Sequence, residues 1–397
     1  MADSNPSYPS SLPKPITKEE EAELRDCFPW NLYYLQNIDY LPQAILCRGK
    51  LTTIPEEAYK KVKANIERVF GDRFVLIFQE GTKGRPFFAL VPNPWKDRDS
   101  ITQESHQWWV ALGLLGITLF TTTISGCLQA GIEMDAIQRN SELLIHGLSY
   151  SVPLMLILVS YEGSYYLTAL RHKLAPSIPY LIPEPFFLVG TLGAFRKLNG
   201  AVGDRKTLFD IDIISLGAGL AVTIITLAWG LSLSTVVNPE DTSQLLNIDN
   251  LNPRFSFFLA LISKLSLGSA LVAKNNIDLH PMAVAGYLGF LFIAFNLIPV
   301  GQLPGGKIIH AMLGQTVAGI VGSWVKILII VLAAIQQDFL FWMVAISLIF
   351  TPTFNQPTLN DVTELDDRRD LIGLGFLVLL VTMVLPLPGL VATWLNF

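Results

Sequence analysis

Two polar segments interrupt otherwise apolar stretches of the chain, and they hold the residues that could do chemistry. The first, YEGSYY, runs from position 161 to 166 and places Glu162 beside Tyr161 and Tyr165, which are one helical turn apart. A carboxylate inside a membrane helix is costly and marks a candidate functional site. The second segment, NLIPVGQLPGG at 296–306, ends another apolar stretch.

The histidines and cysteines do not build an obvious metal site. His146 lies fifteen residues before Tyr161 on the same predicted helix, about 22 Å away at 1.5 Å per residue, and His172 lies beyond Tyr165 among basic residues. A structural or interfacial role is expected for each of the five histidines, which are His106, His146, His172, His280 and His310. The three cysteines, Cys27, Cys47 and Cys127, form no CxxC pair and no even-numbered disulfide framework.

Composition predicts a membrane protein. Of the 397 residues, 51% are hydrophobic and 15% are charged, whereas soluble domains carry about 25% charged residues. A bilayer is crossed by about 20 apolar residues, so the fold class is a polytopic α-helical membrane protein with about six to eight transmembrane helices. The predicted spans are 108–133, 143–169, 210–236, 255–273, 281–300, 322–350 and 371–396, and 322–350, which Gln336-Gln337-Asp338 interrupts, is either one span or two shorter segments. The net charge of −5 gives no reason to expect nucleic acid.

The segment 174–209 is rich in proline and glycine between short apolar pieces, so it cannot form one straight helix. We expect a re-entrant hairpin that is shielded by protein. Basic residues in and around it, Arg196 among them, and the acidic loop 238–250 predict that the N-terminal domain and the re-entrant segment lie on the cytoplasmic side.

Ahead of the membrane domain (101–397), the chain predicts a flexible N-terminus (1–24) and a small α+β domain (25–100). The spacing at 55–70 predicts a helix, and the runs 73–80 and 85–92 predict a β-hairpin. This domain is expected to be a docking or regulatory module, or a cap on the membrane part. Residues 1–24 lack the features of a signal or transit peptide, which predicts insertion where the protein works.

Several ordered landmarks resemble the site-2 protease (M50-type) family of intramembrane zinc metalloproteases, in its cyanobacterial and plastid branch with an N-terminal soluble domain. In the first third they are CRGK (47–50), GDRFVLIFQE (71–80) and FFALVPNP (87–94). GTLGAF (190–195) resembles the family's re-entrant segment. LHPMAVAGYLG (279–289), NLIPVGQLPGG (296–306) and LNDVTELDDRRD (359–370) resemble its later landmarks.

In that family a His-Glu-x-x-His helix binds zinc and supplies a general base, and the Asp of a Leu-Asp-Gly motif is the third ligand. The resemblance aligns the two histidines with Tyr161 and Tyr165, the base with Glu162, and the aspartate with Pro304. A phenol ionises only at a pKa of about 10, and proline has no side-chain donor. The alignment therefore implies a degenerate member of the family, without catalytic residues, that is not an enzyme and lacks zinc.

On this interpretation the chain binds, chaperones or helps to assemble a transmembrane protein partner. The resemblance assigns partner binding to Asn296, Gly193 and Phe195, and it implies the thylakoid or plasma membrane of a cyanobacterium, with photosynthetic partners. The alternative is an active intramembrane metalloprotease with a non-standard metal site. A transporter or channel is a third class of function. The sequence shows no inverted repeat, which argues against this class.

Glu162 itself is expected to be protonated or hydrogen-bonded to Tyr161, Tyr165 or Ser164, or else to be a relic at a water-accessible edge. The glycines at 301, 305, 306 and 314 are expected to allow close packing rather than to line a channel. The run 361–370 is predicted to be a solvated loop.

Overall fold

The computed structural model describes residues 16–81, 84–94, 108–184, 186, 189–237, 256–268, 276–336, 339–353 and 357–386. Two compact units contain them. The first unit holds the described residues up to 94 together with the short pieces 201–205 and 357–364, and the second holds the remainder.

The first unit is an α+β domain. It contains α1 (Lys18–Asp26), β1 (Tyr33–Leu41), β2 (Ala44–Leu51), α2 (Pro55–Phe70), β3 (Phe74–Glu80) and β4 (Pro86–Pro92). The four strands form an antiparallel sheet in the order β1-β2-β4-β3. Helix α2 buries Ala58, Val62 and Ile66, which recur every four residues along one helical face.

The predicted helix 55–70 and the predicted hairpin strands coincide with α2, β3 and β4. Helix α1 replaces part of the segment that was predicted to be flexible. Its first turn is stabilised by a capping box, in which the Thr17 hydroxyl accepts from the Glu20 N–H and the Glu20 carboxylate accepts from the Thr17 N–H. Leu24 on this helix is fully buried. Residues 1–15 lie outside the described residues.

Two later pieces of the chain extend the sheet of this unit beyond β3. The Phe78 N–H donates to the Leu359 carbonyl (2.7 Å), and the Phe78 carbonyl accepts from the Asp361 N–H (2.9 Å). The Leu359 N–H donates in turn to the Val202 carbonyl at 2.9 Å. The edge of β3 is therefore covered by chain that comes from far along the sequence.

The prediction of a solvated loop at 361–370 is wrong at its start, which is buried, and at its end, where a helix begins at Asp367. Asp361 and the neighbouring Thr358 and Asn360 are buried. The Thr358 hydroxyl donates to the Asp361 carboxylate at 3.0 Å, so the buried charge has a partner.

The second unit is mainly helical. Its longer elements are α3 (Trp108–Gln129), α4 (Met134–Arg139), α5 (Leu144–Arg171), α6 (Arg205–Ser232), α7 (Phe257–Leu267), α8 (Pro281–Leu297), α9 (Pro304–Leu313), α10 (Gln315–Gln336), α11 (Phe339–Phe350) and α12 (Asp367–Val384). The short strands are β5 (Ala175–Pro176), β6 (Tyr180–Pro183), β7 (Thr191–Phe195), β8 (Leu198–Asn199), β9 (Thr235–Val237) and β10 (Asn276–Asp278).

Within the described ranges, four helices are long and apolar enough to cross a bilayer, namely α3, α5, α6 and α10, and α7 and α8 are shorter apolar helices. The chain is thus an integral membrane protein, while the number of six to eight spans stays a prediction. The predicted span 322–350 is divided between α10 and α11, and the span 255–273 contains a helix of 11 residues.

The proline-rich segment forms two antiparallel pairs, β6 with β7 and β5 with β8. Leu181 of β6 and Ala194 of β7 pack against Met155 and Leu158 of α5. The hairpin shape that the sequence predicts for this segment is therefore present, and it lies against α5.

Glycine residues allow the helices and the hairpin of this unit to pack closely at several points. A Cβ atom on Gly147 of α5 would lie 2.0 Å from the Thr123 carbonyl oxygen of α3, and one on Gly190 would lie 2.5 Å from Thr122 Cα. The same holds for Gly305, where a Cβ atom would lie 2.0 Å from the Leu297 carbonyl oxygen. Close packing thus explains Gly305, as predicted; Gly314, by contrast, ends α9 with a φ of +85°.

Candidate functional site

Helix α5 presents Tyr161, Glu162 and Tyr165 on one face, and all three side chains are buried. Pro153 lies inside the helix, but the polar face begins two turns after it. The Tyr161 ring packs edge-on against Phe292 of α8, with 5.1 Å between the ring centroids. The fold therefore brings the first polar segment next to the helix that carries the second.

One guanidinium connects this face of α5. The Arg196 Nη1 donates to Glu162 Oε2 at 2.8 Å, and Nη2 donates to the Tyr161 hydroxyl at 3.3 Å. The guanidinium carbon lies 3.7 Å from the centroid of the Tyr165 ring. The side chains of Arg196 and Glu162 are 18% and 7% exposed, so this ion pair is largely shielded from solvent.

The prediction that Glu162 bonds to its own helix neighbours is therefore wrong. Its carboxylate is paired with Arg196, which is the residue directly after β7. The Ser164 hydroxyl donates to the Ser160 carbonyl. A long-range cation supplies what a local hydroxyl cannot, namely a compensating charge for the buried carboxylate.

A second buried pair lies close to the first. The Lys307 ammonium of α9 is 3.5 Å from the Asp212 carboxylate of α6, whose side chain is 1% exposed. Asp212 interacts electrostatically with Arg196, and Lys307 interacts electrostatically with Glu162. The four residues carry two negative and two positive charges, so the cluster is balanced.

The second polar segment contributes Asn296, and Lys307 follows this segment directly. The Tyr161 hydroxyl donates to the Asn296 amide oxygen at 3.3 Å, and the Asn296 amide donates to the Phe292 carbonyl at 2.8 Å. Pro304 is buried at the first turn of α9, one turn before Lys307. The structure thus joins Asn296 to the tyrosine and glutamate face.

The strand β7 presents the other two predicted binding residues. Phe195 is 59% exposed and the neighbouring Leu192 is 70% exposed. Gly193 has a φ of +96°, which favours glycine, and its N–H is bonded to the Thr191 hydroxyl. In the part of the chain that the structure describes, β7 pairs with β6 alone, so no strand is paired with its outer edge.

The described histidines do not converge on this site. His280 caps α8 by accepting from the Met282 N–H, and His172 lies 3.5 Å from Asp210. His146 is exposed near the start of α5, and His310 is buried in α9. Within the described ranges, no group of three or more His, Cys, Asp or Glu residues is arranged to hold a metal ion.

Sequence reasoning missed Arg196, Asp212 and Lys307 as members of the site. Arg196 was counted among the basic residues that mark the cytoplasmic side. The signal that could have found it is the requirement that a membrane-embedded carboxylate be paired, together with an arginine at the end of the apolar run GTLGAF.

The described part of the chain thus combines four helices long enough to cross a membrane, a hairpin packed against α5 and a buried polar face on α5. The chain is 28% identical to the "Probable zinc metalloprotease EGY1, chloroplastic" of Arabidopsis thaliana over 371 residues, which cover 87% of this chain and 66% of that protein. It is 26% identical to "Probable zinc metalloprotease EGY2, chloroplastic" from the same plant, over 91% of this chain and 63% of that protein. No family profile and no solved structure matches the chain.

These relatives, which cover most of the chain at 26–28% identity, support the resemblance to the plastid branch of the site-2-protease-like family. The chain spans somewhat less than two thirds of the length of these curated relatives. Their names point to a protease and to a zinc cofactor. The predictions that the chain is not an enzyme and has no zinc cofactor are therefore wrong on this comparison.

The residues at the α5 face do not by themselves fit a zinc ion. Structural and catalytic zinc sites use thiolates, imidazoles and carboxylates, whereas this face offers two phenols and one carboxylate. That carboxylate is already bonded to a guanidinium, and a second cation beside it would be repelled.

Proposed function

We propose that the chain recognises a segment of a transmembrane protein partner and holds its backbone along the outer edge of β7. An extended peptide can add a strand to an open sheet edge, where main-chain hydrogen bonds give affinity. The observation that carries the proposal is the open edge of β7, with Leu192 and Phe195 exposed beside it. The curated relatives, named as proteases, are proteins of a class that must also receive a polypeptide.

Asn296 and the tyrosine face support the same proposal. A polypeptide that lies along β7 ends beside Arg196, Tyr161 and Asn296, where hydrogen-bond donors and acceptors are shielded from water. A ligand that replaces any of these hydrogen bonds must bring complementary carbonyl or N–H groups of its own, as a polypeptide backbone does. We assign Gly193, Phe195 and Asn296 to this binding site.

The test uses defined transmembrane peptides in liposomes. A photoreactive amino acid at Phe195 should cross-link a peptide whose apolar span contains a helix-breaking Gly-Pro pair, because strand addition needs an extended backbone. It should cross-link an uninterrupted poly-leucine span less. The control site is Trp229 on α6, an equally exposed aromatic residue. Equal cross-linking from both sites, or no preference between peptides, would refute the proposal.

Metal-dependent cleavage of the bound segment is the second candidate function, and the names of the relatives favour it. It requires ligands other than Tyr161, Tyr165 and Pro304. The same liposomes give the test. The peptide is recovered after incubation with added zinc or with a chelator, and its mass is measured by mass spectrometry. Chelator-sensitive cleavage would establish this function, and intact peptide under both conditions would argue against it.

The setting is proposed to be a thylakoid or plasma membrane with photosynthetic partners, and residues 16–94 are placed on the cytoplasmic side. The relatives are named as chloroplastic, which supports a photosynthetic membrane. Lys197, Arg171 and Lys173 support the orientation by the positive-inside rule. Protease protection of residues 16–94 in vesicles whose cytoplasmic face points inward tests this orientation. Cleavage of these residues by protease added outside such vesicles would contradict it.

A further inference from the structure

Arg196 stands where strand β7 leaves the hairpin and meets α5. The strand ends at Phe195, and the next side chain turns inward to Glu162 while Phe195 remains outward and exposed. Lys197, one residue further, is exposed. Of these two neighbouring basic residues, Arg196 is largely shielded within the site and Lys197 is exposed.

The contacts of Arg196 hold its planar head from two sides. Glu162 and the Tyr161 hydroxyl accept at its edge, and the Tyr165 ring lies against its face at 3.7 Å. A guanidinium suits this arrangement because it combines several donors in one plane with stacking on aromatic rings. An ammonium group has the same charge but cannot stack in this way.

The charges around Arg196 come from three neighbouring elements. Glu162 lies on α5, Asp212 on α6 and Lys307 on α9. The removal of Arg196 would leave two buried carboxylates facing a single cation. The charges of the cluster therefore stabilise the guanidinium in its position. Because Arg196 directly follows β7, they also hold the end of this strand against α5.

We propose that Arg196 is a positioning residue, which fixes the carboxyl end of β7 against α5 so that the outer edge of the strand is held ready for a polypeptide segment. The inference rests on the proposed function, because it states how the same binding strand is kept in place. Arg196 acts through the strand rather than by contact with the bound segment.

The strand itself supplies two reporters. Ala194 faces α5 and is partly buried, whereas Leu192 faces outward and is 70% exposed. A cysteine at Ala194 should react slowly with N-ethylmaleimide while the strand is fixed, and one at Leu192 should react fast in every variant. Native thiols interfere little, because all three are buried, and burial raises the pKa of Cys27 to about 11 and of Cys47 to about 12.

Arg196→Gln should raise the labelling rate of Ala194→Cys by about tenfold or more, and Arg196→Lys should raise it less. Lys197→Gln is the matched control, which removes a neighbouring exposed charge and should leave the rate unchanged. Tyr165→Leu, which removes the ring against the guanidinium, should raise the rate as well and serves if Arg196→Gln does not accumulate as folded protein.

Capture of the Gly-Pro peptide by the photoreactive residue at Phe195 is the second readout. Faster labelling of Ala194→Cys together with at least fivefold weaker capture in Arg196→Gln would support the proposal. Unchanged labelling would overturn it, and so would faster labelling with unchanged capture. If the unmodified protein captured no peptide at all, the proposed function itself would fall, while the labelling result would still report on the anchoring of β7.

Discussion

At the scale of single residues, the main feature of the site is that Glu162 bonds to a residue distant in sequence rather than to its neighbours on the same helix. Glu162 has Tyr161, Ser164 and Tyr165 within one turn of its own helix, yet it bonds to Arg196, 34 positions away in the sequence. In a medium of low dielectric constant a compensating cation stabilises a carboxylate more than a neutral hydroxyl does. The residue that balances the charge is thereby the residue that anchors the hairpin.

The ring of Tyr165 should matter more than its hydroxyl. Tyr165→Phe keeps the aromatic face under the guanidinium and should change the free energy of unfolding by less than about 1 kcal/mol. Tyr165→Leu removes the face and should lower it by about 2 kcal/mol. Unfolding in mixed detergent measures both, and equal effects of the two substitutions would show that stacking is not the important contact.

Glu20 should make the first unit sensitive to acid. Hydrogen bonds from the Thr17 N–H and from Arg73, at 2.6 Å, lower the pKa of Glu20 from its ordinary value of 4.5. A lowered pKa in the folded state gives stability that is present above the unfolded value of 4.5 and is lost as the pH falls through the folded pKa.

Glu20→Gln should therefore remove part of the loss of stability below pH 4.5, as measured by hydrogen exchange at amides of the first unit in the full-length protein during acid titration. Arg73→Gln should weaken the same dependence, because it removes one of the two causes. An unaltered acid transition in Glu20→Gln would contradict this account.

The sequence supports Glu162 as a buried carboxylate and the tyrosines as its neighbours, because spacing along one helix is visible in the chain. It does not reveal Arg196, since the same basic residue also suits the positive-inside pattern. Asp212 and Lys307 lie in two further segments whose pairing depends on tertiary packing. Local rules thus predict one face of the site and miss the groups that approach it from other elements.

At the scale of elements, α3, α5 and the hairpin approach each other through small residues. A Cβ atom on Gly126 of α3 would lie 2.5 Å from the Gly147 carbonyl oxygen of α5, whereas one on Gly116 of the same helix would meet nothing within 4 Å. Gly126→Ala should lower the free energy of unfolding by about 1–3 kcal/mol. Gly116→Ala should leave it unchanged or raise it by about 0.5–1 kcal/mol.

Thermal unfolding in detergent compares the two alanine variants directly. A tolerated Gly126→Ala would show that α3 and α5 are not in close contact at this point. The pair is well matched, since both substitutions add one methyl group to the same predicted membrane helix.

Some elements can be predicted because their signals are local. Helix α2 carries its proline start, acidic first turn and glycine end in sequence, and its bounds match the structure. The hairpin of β1 and β2 turns at Pro42 and Gln43 without the Asn-Gly or Gly-rich signal of a tight turn. Helix α1 had a readable signal in Thr17 and Glu20, which the acidic composition of the segment concealed.

At the scale of the whole molecule, the first unit is discontinuous in sequence. The pieces 201–205 and 357–364 belong to it, although they come from the region 101–397 that the sequence predicts to be membrane domain. No local pattern shows this, because the pairing of Phe78 with residues 359 and 361 is a long-range backbone contact.

Asn360→Ala should therefore destabilise the first unit. Its side chain is 3% exposed and bonds to the Thr363 hydroxyl at 2.7 Å, so its loss should cost about 1–3 kcal/mol. Hydrogen exchange at the Phe78 amide, which donates to Leu359, should accelerate. Glu364→Ala, an exposed change nearby, is the control; identical exchange in both variants would show that this segment does not stabilise the sheet.

The most direct test of the Glu162–Arg196 pair is a double-mutant cycle of Glu162→Gln and Arg196→Gln, followed by reversible unfolding in mixed detergent. Each single change leaves a buried charge unpaired and should lower the free energy of unfolding by about 3 kcal/mol. The double variant should lose less than the sum of the two, which gives an interaction free energy of about 2 kcal/mol. Losses that add within about 0.5 kcal/mol, or a Glu162→Gln variant with unchanged stability and peptide capture, would show that Glu162 is a relic and that the pair does not organise the site.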